Sequence, residues 1–478
     1  MTTLQERKLG DSIIRELYRD PDYLDDPIIG EYVDGIWRRL LAGARARGEL
    51  TPELEERYAW QVLLGRDATI NAFSLPGGYF GLQTGLVGAV SSRDELASVL
   101  AHEMSHVMQR HIARMLGQQS RQTPLMLAAM VLGAVAATRN PDAGAALAVG
   151  GQAAVIQQQL NFSRDMEREA DRIGYGVMTQ AGFAPEGFVS MFEKLQNASR
   201  INDNGDWPYL RSHPLTTERI ADMQQRQQNL PRRPPPPPDL EALIMAARAR
   251  VEGRPGVDVL RSWAGEPGQP GFAQQPLAHR AGALYAAAMA DAQLRDLPRA
   301  QALAAQLAQA VAGDALAARQ ARLLQAELAL QAGQDQRALE WLAPLHADSG
   351  AAPQSQAGRA VLLLRAQAQI RGGQAAAAAS ALQPWLSDHP HDAGAWQAVA
   401  QAWAAQGQTL RQLRAEGEVQ MAHMDYAGAV DRWRAAQDFS RQQRGSNADL
   451  IEASIVDTRL REGRELLKQQ KKDEEKMR

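Results

Sequence analysis

The chain has 478 residues and a formal net charge of −3, from 52 Lys and Arg against 55 Asp and Glu. That length predicts two or more domains, and so even a charge balance gives no electrostatic footprint for nucleic acid. With no cysteine there are neither disulfides nor thiolate metal sites, a composition compatible with an oxidising compartment.

The opening stretch, residues 1–17, reads as an amphipathic helix without the apolar core of a signal peptide. The expectation is a protein whose signal has been trimmed, or else a cytoplasmic one. Next, Asn71 to Val87 reads as two strands around the breaker Leu75-Pro76-Gly77-Gly78. Pro76 keeps the first strand out of a sheet centre, so Asn71, Ala72, Phe73 and Ser74 are expected to form an exposed edge strand. A bare edge recruits another strand, which makes this stretch a candidate for binding an extended peptide.

Ser92 and Glu95 predict a capping box and the start of a long helix. That helix carries His102-Glu103-Met104-Ser105-His106. Positions i and i+4 lie about 40° apart on a helix, so both imidazoles share a face. Two neutral imidazoles at that spacing can hold Zn²⁺ while Glu103 reaches a bound water. A catalytic zinc takes a third protein ligand and keeps one position open. The metzincin pattern would need Gly at Gln109 and His at Ile112, and neither is present. His111 is one residue out of place and reads as a helix-face residue or an outer partner of the ligands. The third ligand is expected from the run Asn161 to Asp171, where Glu167 and Asp171 are again i and i+4. Glu167 binds the metal in this reading, Asp171 accepts the far N–H of a ligand histidine, and the small Ala170 lets the two helices approach.

Between these helices lie two apolar runs, 125–138 and 143–156. Each is shorter than the ~20 residues a bilayer span needs. They are expected to form a buried helical hairpin, or alternatively a mobile cover or membrane-touching element, so membrane contact is at most peripheral.

Residues 230–238 are Pro-rich and predict a semi-rigid spacer. It separates an α+β part, 1–229, from an all-α part, 239–478. In the second part Ala-rich helix pairs recur around turns at Asp296, Gly333, Gly373 and Gly407. This resembles the tetratricopeptide repeat, whose stacked pairs leave a concave face for peptides.

The H-E-x-x-H of 102–106, the E-x-x-A-D of 167–171, the NAFSLPGG stretch from Asn71, and Arg211-Ser212-His213-Pro214 with Glu218-Arg219-Ile220 together resemble the M48 zinc metallopeptidases, a gluzincin family. The resemblance covers roughly residues 5–228 and implies His102, His106 and Glu167 as ligands of one Zn²⁺ per chain. It further implies Glu103 as general base and Asp171 behind the ligands, with His213 stabilising the oxyanion or gating the zinc. An attached repeat half points to the periplasmic branch of the family. That implies misfolded or stalled outer-membrane β-barrel proteins as substrates and the barrel-assembly machinery as partner through the repeats. Two other readings stay open: a chaperone or assembly adaptor with latent protease activity, and a cytoplasmic quality-control protease.

Overall fold

The structure, a computed structural model, describes residues 1–118, 164–201, 208–228, 236–345, 358–442 and 447–477. The expected hairpin over 125–156 lies outside the described residues, as does most of the Pro-rich spacer.

Helix α1 (Thr3–Arg19) opens with a complete capping box between Thr2 and Gln5 and buries Leu9, Ile13 and Ile14. After β1 (Tyr23–Leu24), Asp26 caps α2 (Pro27–Ala46) by accepting from the amides of Ile28 and Ile29, and Pro27 starts the helix without losing a hydrogen bond. Helix α2 buries a stripe that includes Ile29, Val33, Ile36, Trp37 and Leu40. Trp37 packs on Phe80, with ring centroids 4.5 Å apart, and donates from its indole to the Trp60 carbonyl.

Helix α3 (Pro52–Arg57) leads to β2 (Gln61–Gly65), β3 (Ala72–Leu75) and β4 (Tyr79–Gln83). The sheet order is β1-β2-β4-β3, with β2 parallel to β4 and the other pairs antiparallel. The turn between β3 and β4 needs two left-handed residues, Gly77 at φ 77° and Gly78 at φ 82°. Strand β4 is buried along its whole length, and β3 is terminal among the described residues. The expected edge strand thus exists, starting at Ala72 instead of Asn71, but it is less exposed than expected. Only Phe73 is half-buried, while Asn71, Ala72 and Ser74 are buried, because α5 packs against this strand.

Helices α4 (Thr84–Ala89), α5 (Arg93–Met108), α6 (His111–Gln118), α7 (Arg164–Gln180), α8 (Glu186–Ile201), α9 (Pro208–Ser212) and α10 (Thr217–Gln228) follow. Ser92 caps α5 as expected, accepting from the Glu95 amide. The reciprocal half of the box differs: the Glu95 carboxylate accepts from the Ser91 amide and pairs with Lys194 instead. The cause is burial, since Glu95 is inside and Lys194 of α8 offers it a charge.

By contacts the chain falls into two compact units, 1–321 and 322–478. The first therefore runs past the spacer and takes in α11 (Leu240–Glu252), α12 (Val257–Gly265), α13 (Leu277–Gln293) and α14 (Leu297–Ala310), ending inside α15 (Ala315–Gln331). Charged pairs account for this attachment. Asp239 caps α11 and takes a two-pronged bond from Arg93, at 2.7 and 3.0 Å. Arg248 of α11 reaches Asp26 at 2.7 Å with both side chains buried.

The second unit is helical: α16 (Asp335–Leu342), α17 (Arg359–Arg371), α18 (Ala375–Asp388), α19 (Ala393–Ala405), α20 (Thr409–Ala422), α21 (Tyr426–Gln442) and α22 (Asn447–Met477). One helix-ending turn recurs. A left-handed residue stands at Gly333, Gly373 and Gly407, and the next amide donates back five residues, Gln334 to Ala329, Gln374 to Gln369 and Gln408 to Trp403. Arg295 and Met424 hold the same turn without glycine. No described helix is long and apolar enough to cross a membrane.

Candidate metal centre

Helix α5 runs through the core, and every residue from Glu95 to Met108 is buried. Buried polar side chains on such a helix require partners. Ser98 and Ser105 satisfy themselves on the carbonyls of Glu95 and Ala101. His102 and His106 turn instead toward α7, and Glu103 faces His213. The two helices approach at Gly174, where a Cβ would stand 3.1 Å from the Ala101 carbonyl. Ala170, one turn earlier, is fully buried. This close crossing brings Glu167 and Asp171 onto the histidines.

The Nε2 atoms of His102 and His106 are 3.0 Å apart. Glu167 lies 3.4 Å from each of them, through Oε2 to His102 and Oε1 to His106. His213, just after α9, places Nδ1 3.0 Å from Glu167 Oε1 and 3.3 Å from His102 Nε2. One ligand atom from each of these four residues falls within 4.8 Å of the others, and all four are buried. Ligands at zinc distances of roughly 2.0–2.2 Å in a tetrahedron stand about 3.3–3.6 Å apart, so the set has the size of a zinc cage.

Charge makes the same point. Glu103, Glu167 and Asp171 are each about 1% exposed, against one buried guanidinium, Arg219. Among the described residues neither oxygen of Glu103 has a hydrogen-bond partner; His213 Nε2 stands 3.2 Å from its Oε1 without forming one. Leaving such groups inside is costly unless a cation joins them.

The outer contacts hold the rings in place. Asp171 Oδ1 is 2.9 Å from His102 Nδ1. Arg219 donates to Asp171 at 2.6 and 2.8 Å and lies 2.8 Å from Glu167 Oε2. Burial alone would lower the His102 pKa, but hydrogen bonds to Asp171 and Glu167 push it up to about 9. His106 is held well below its ordinary value, by burial first and then by the charge on His102. Burial would raise Glu167, yet His213 and His102 hold it well below the carboxylate range. Tyr209 stacks on His213, with ring centroids 4.7 Å apart.

Each expected ligand residue is thus in the cluster, and Asp171 stands behind His102. Arg219 enters the sequence reading only as part of the Glu218-Arg219-Ile220 motif, with no role assigned to it, although it ties two of the carboxylates together. Its position in TERIADMQQRQQ looks like any charged helix face, and its partners lie on another helix.

The Asn71–Ser74 stretch contributes β3 to the sheet. The bond from the Gln83 amide to the Asn71 carbonyl sets the ladder. With Ala72 opposite Leu82 and Ser74 opposite Phe80, the backbone N–H and C=O of Ala72 and Ser74 point away from β4.

The model of peptidase family M48 matches residues 46–227. A protein of Yersinia pestis described as a beta-barrel assembly-enhancing protease is 30% identical over 434 residues, covering 87% of this chain and 80% of that one. The chain belongs to peptidase family M48 and is a metalloprotease by class. The beta-barrel assembly-enhancing protease of Escherichia coli (strain K12) is 29% identical over 447 residues, 88% of this chain and 82% of that protein. A relative from Vibrio cholerae is 36% identical over 231 residues, so the alignment spans about half of each chain, 48% and 46%.

Proposed function

We propose that this protein is a zinc endopeptidase that cuts misfolded or stalled outer-membrane β-barrel proteins in the periplasm, with its helical repeats docking on the barrel-assembly machinery. One observation carries the enzymatic part. Glu103 is buried beside four convergent ligand atoms, and among the described residues neither of its oxygens has a hydrogen-bond partner. A carboxylate kept in that condition is suited to taking a proton. The names of the relatives support the barrel substrates, and the helix pairs support docking.

His102, His106 and Glu167 hold the ion in this reading; when bound, zinc polarises the scissile carbonyl and acidifies a water. Glu103 takes that water's proton and returns it to the leaving amine. Asp171, gripped by Arg219, keeps the His102 proton on Nδ1 so that Nε2 faces inward. The substrate lies extended along β3 and pairs with the outward amides and carbonyls of Ala72 and Ser74. Backbone pairing reads no sequence, which suits unfolded chains.

His213 favours a latent resting state. It stands among the ligands and beside Glu103, where a carbonyl has to enter. Once moved aside, its ring is placed to donate to the developing oxyanion. The adaptor reading draws on the same closed arrangement.

The test uses an unfolded outer-membrane barrel protein, its folded form and unfolded casein as substrates for the zinc-loaded enzyme. Cleavage of the unfolded barrel ahead of the other two is expected. Equal cleavage of folded and unfolded barrel contradicts the substrate assignment. Ala72→Pro removes one outward N–H and leaves the ladder to β4 intact. It is expected to raise KM with metal content unchanged, and an unaltered KM rejects β3 as the substrate strand.

A further inference from the structure

Both histidines of the 102–106 motif have a second ring nitrogen, and only His102's is accounted for by Asp171. His106 Nδ1 lies 2.9 Å from His111 Nδ1. His111 Nε2 lies 3.0 Å from Glu169 Oε2, and Arg114 donates to that same oxygen at 2.9 Å. We propose that His111 and Glu169 are positioning residues for the metal centre: a His106–His111–Glu169 arm that fixes the ring of His106 as Asp171 fixes that of His102. The proposal rests on reading His106 as a ligand.

The backbone is shaped for this contact. On an uninterrupted helix a residue five positions on stands about 140° around from His106, out of its reach. Helix α5 instead ends at Met108, and Arg110 turns left-handed at φ 52°. Helix α6 then starts at His111, whose ring comes back to His106 and is fully buried. The turn is held from α1, where buried Glu6 accepts from Arg110 Nε at 2.8 Å. A left-handed arginine fastened to a buried carboxylate is an arrangement with a purpose: it moves His111 out of its helical position.

The proton directions agree along the whole arm. A histidine that gives Nε2 to a metal carries its proton on Nδ1. His106 Nδ1 therefore donates, and His111 Nδ1 accepts. His111 then holds its own proton on Nε2 and donates it to Glu169, which Arg114 fixes from the other side. Donors and acceptors alternate without conflict. Helix α7 thus supplies Glu167 to the cluster, Asp171 to His102 and Glu169 to the arm behind His106.

The test measures zinc affinity of the full chain by competition with a chromophoric chelator, and ligand geometry from the visible spectrum of Co²⁺. His111→Phe keeps the ring volume but loses the acceptor; His111→Asn restores an acceptor near the place of Nδ1. Glu169→Ala cuts the anchor at a partly exposed position. His111→Phe is expected to weaken zinc about 10–100-fold and to shift the Co²⁺ bands, His111→Asn to recover most of the loss, and Glu169→Ala to give a few-fold loss. Zinc affinity within twofold of wild type with a superimposable Co²⁺ spectrum in His111→Phe overturns the proposal. So does an equal loss in His111→Phe and His111→Asn, which would assign the effect to packing. If His111→Phe does not fold, Glu169→Ala decides alone, and unchanged affinity and spectrum there count against the arm. A wild type that binds no zinc at all would overturn the ligand reading itself, a distinguishable outcome.

Discussion

At the residue scale, the centre depends on how few of its charges have freedom to move. Asp171 and Arg219 make a buried pair whose other function is to hold His102 and Glu167. Asp171→Asn is expected to lower zinc affinity by about 10–100-fold, measured by chelator competition. Arg219→Met strips the countercharge from two buried carboxylates and is expected to destabilise the metal-free protein by about 3–5 kcal/mol. Zinc should then stabilise this variant more than it stabilises wild type, and melting with and without zinc checks that order. The residues visible in the sequence are those placed by helix geometry within one segment: His102 with His106, and Glu167 with Asp171. The role of Arg219, and the reach of His111 to His106, were hidden for a physical reason. One arises from packing between distant helices. The other depends on a left-handed turn at an arginine, which no composition rule flags.

Elements are joined here by capped and paired ends. Asp239 both caps α11 and binds Arg93 at the first residue of α5. Burial would raise its pKa, but the Arg93 side chain and the amides of Arg93 and Ala242 outweigh it and hold it below the ordinary value. A depressed carboxylate stabilises the fold above its unfolded pKa of about 4 and loses that contribution as pH falls through the folded value. The stability gap between wild type and Arg93→Ala should therefore be widest near neutral pH and shrink below about pH 4, as urea titrations across pH would show. In the second unit, Gly373 sits at φ 78° with open space around its Cα. Gly373→Ala thus meets no clash, only backbone strain, and is expected to cost about 1 kcal/mol in denaturant unfolding. The glycine turns were legible because glycine is the ordinary residue for that conformation. The same turn at Arg295 and Met424 was not, since the helix pairs impose it on residues that advertise nothing.

For the whole molecule, the change of composition after the Pro-rich stretch and the change of packing do not coincide. Helices from α11 onward carry the repeat-like composition, yet Arg93, Asp26 and Glu31 pair with Asp239, Arg248 and Arg319, and the first unit runs on from α11 to the start of α15. A sequence shows where residue usage shifts; it does not show ion pairs across 146 to 288 positions. The α+β class of the first part and the helix-pair character of the second were legible, because strand breakers and Ala-rich periodicity are local signals. Zinc, the periplasm and barrel substrates belong to the proposal, whose enzymatic part stands on the chemistry assigned to Glu103. The most direct measurement is cleavage of unfolded casein by wild type and by Glu103→Gln, each first shown to hold one zinc per chain, with a chelator control. The account predicts cleavage by zinc-loaded wild type alone, with the variant silent at equal metal content and equal melting temperature. Cleavage by Glu103→Gln at a comparable rate would contradict it, because the proton would then be taken by some other group.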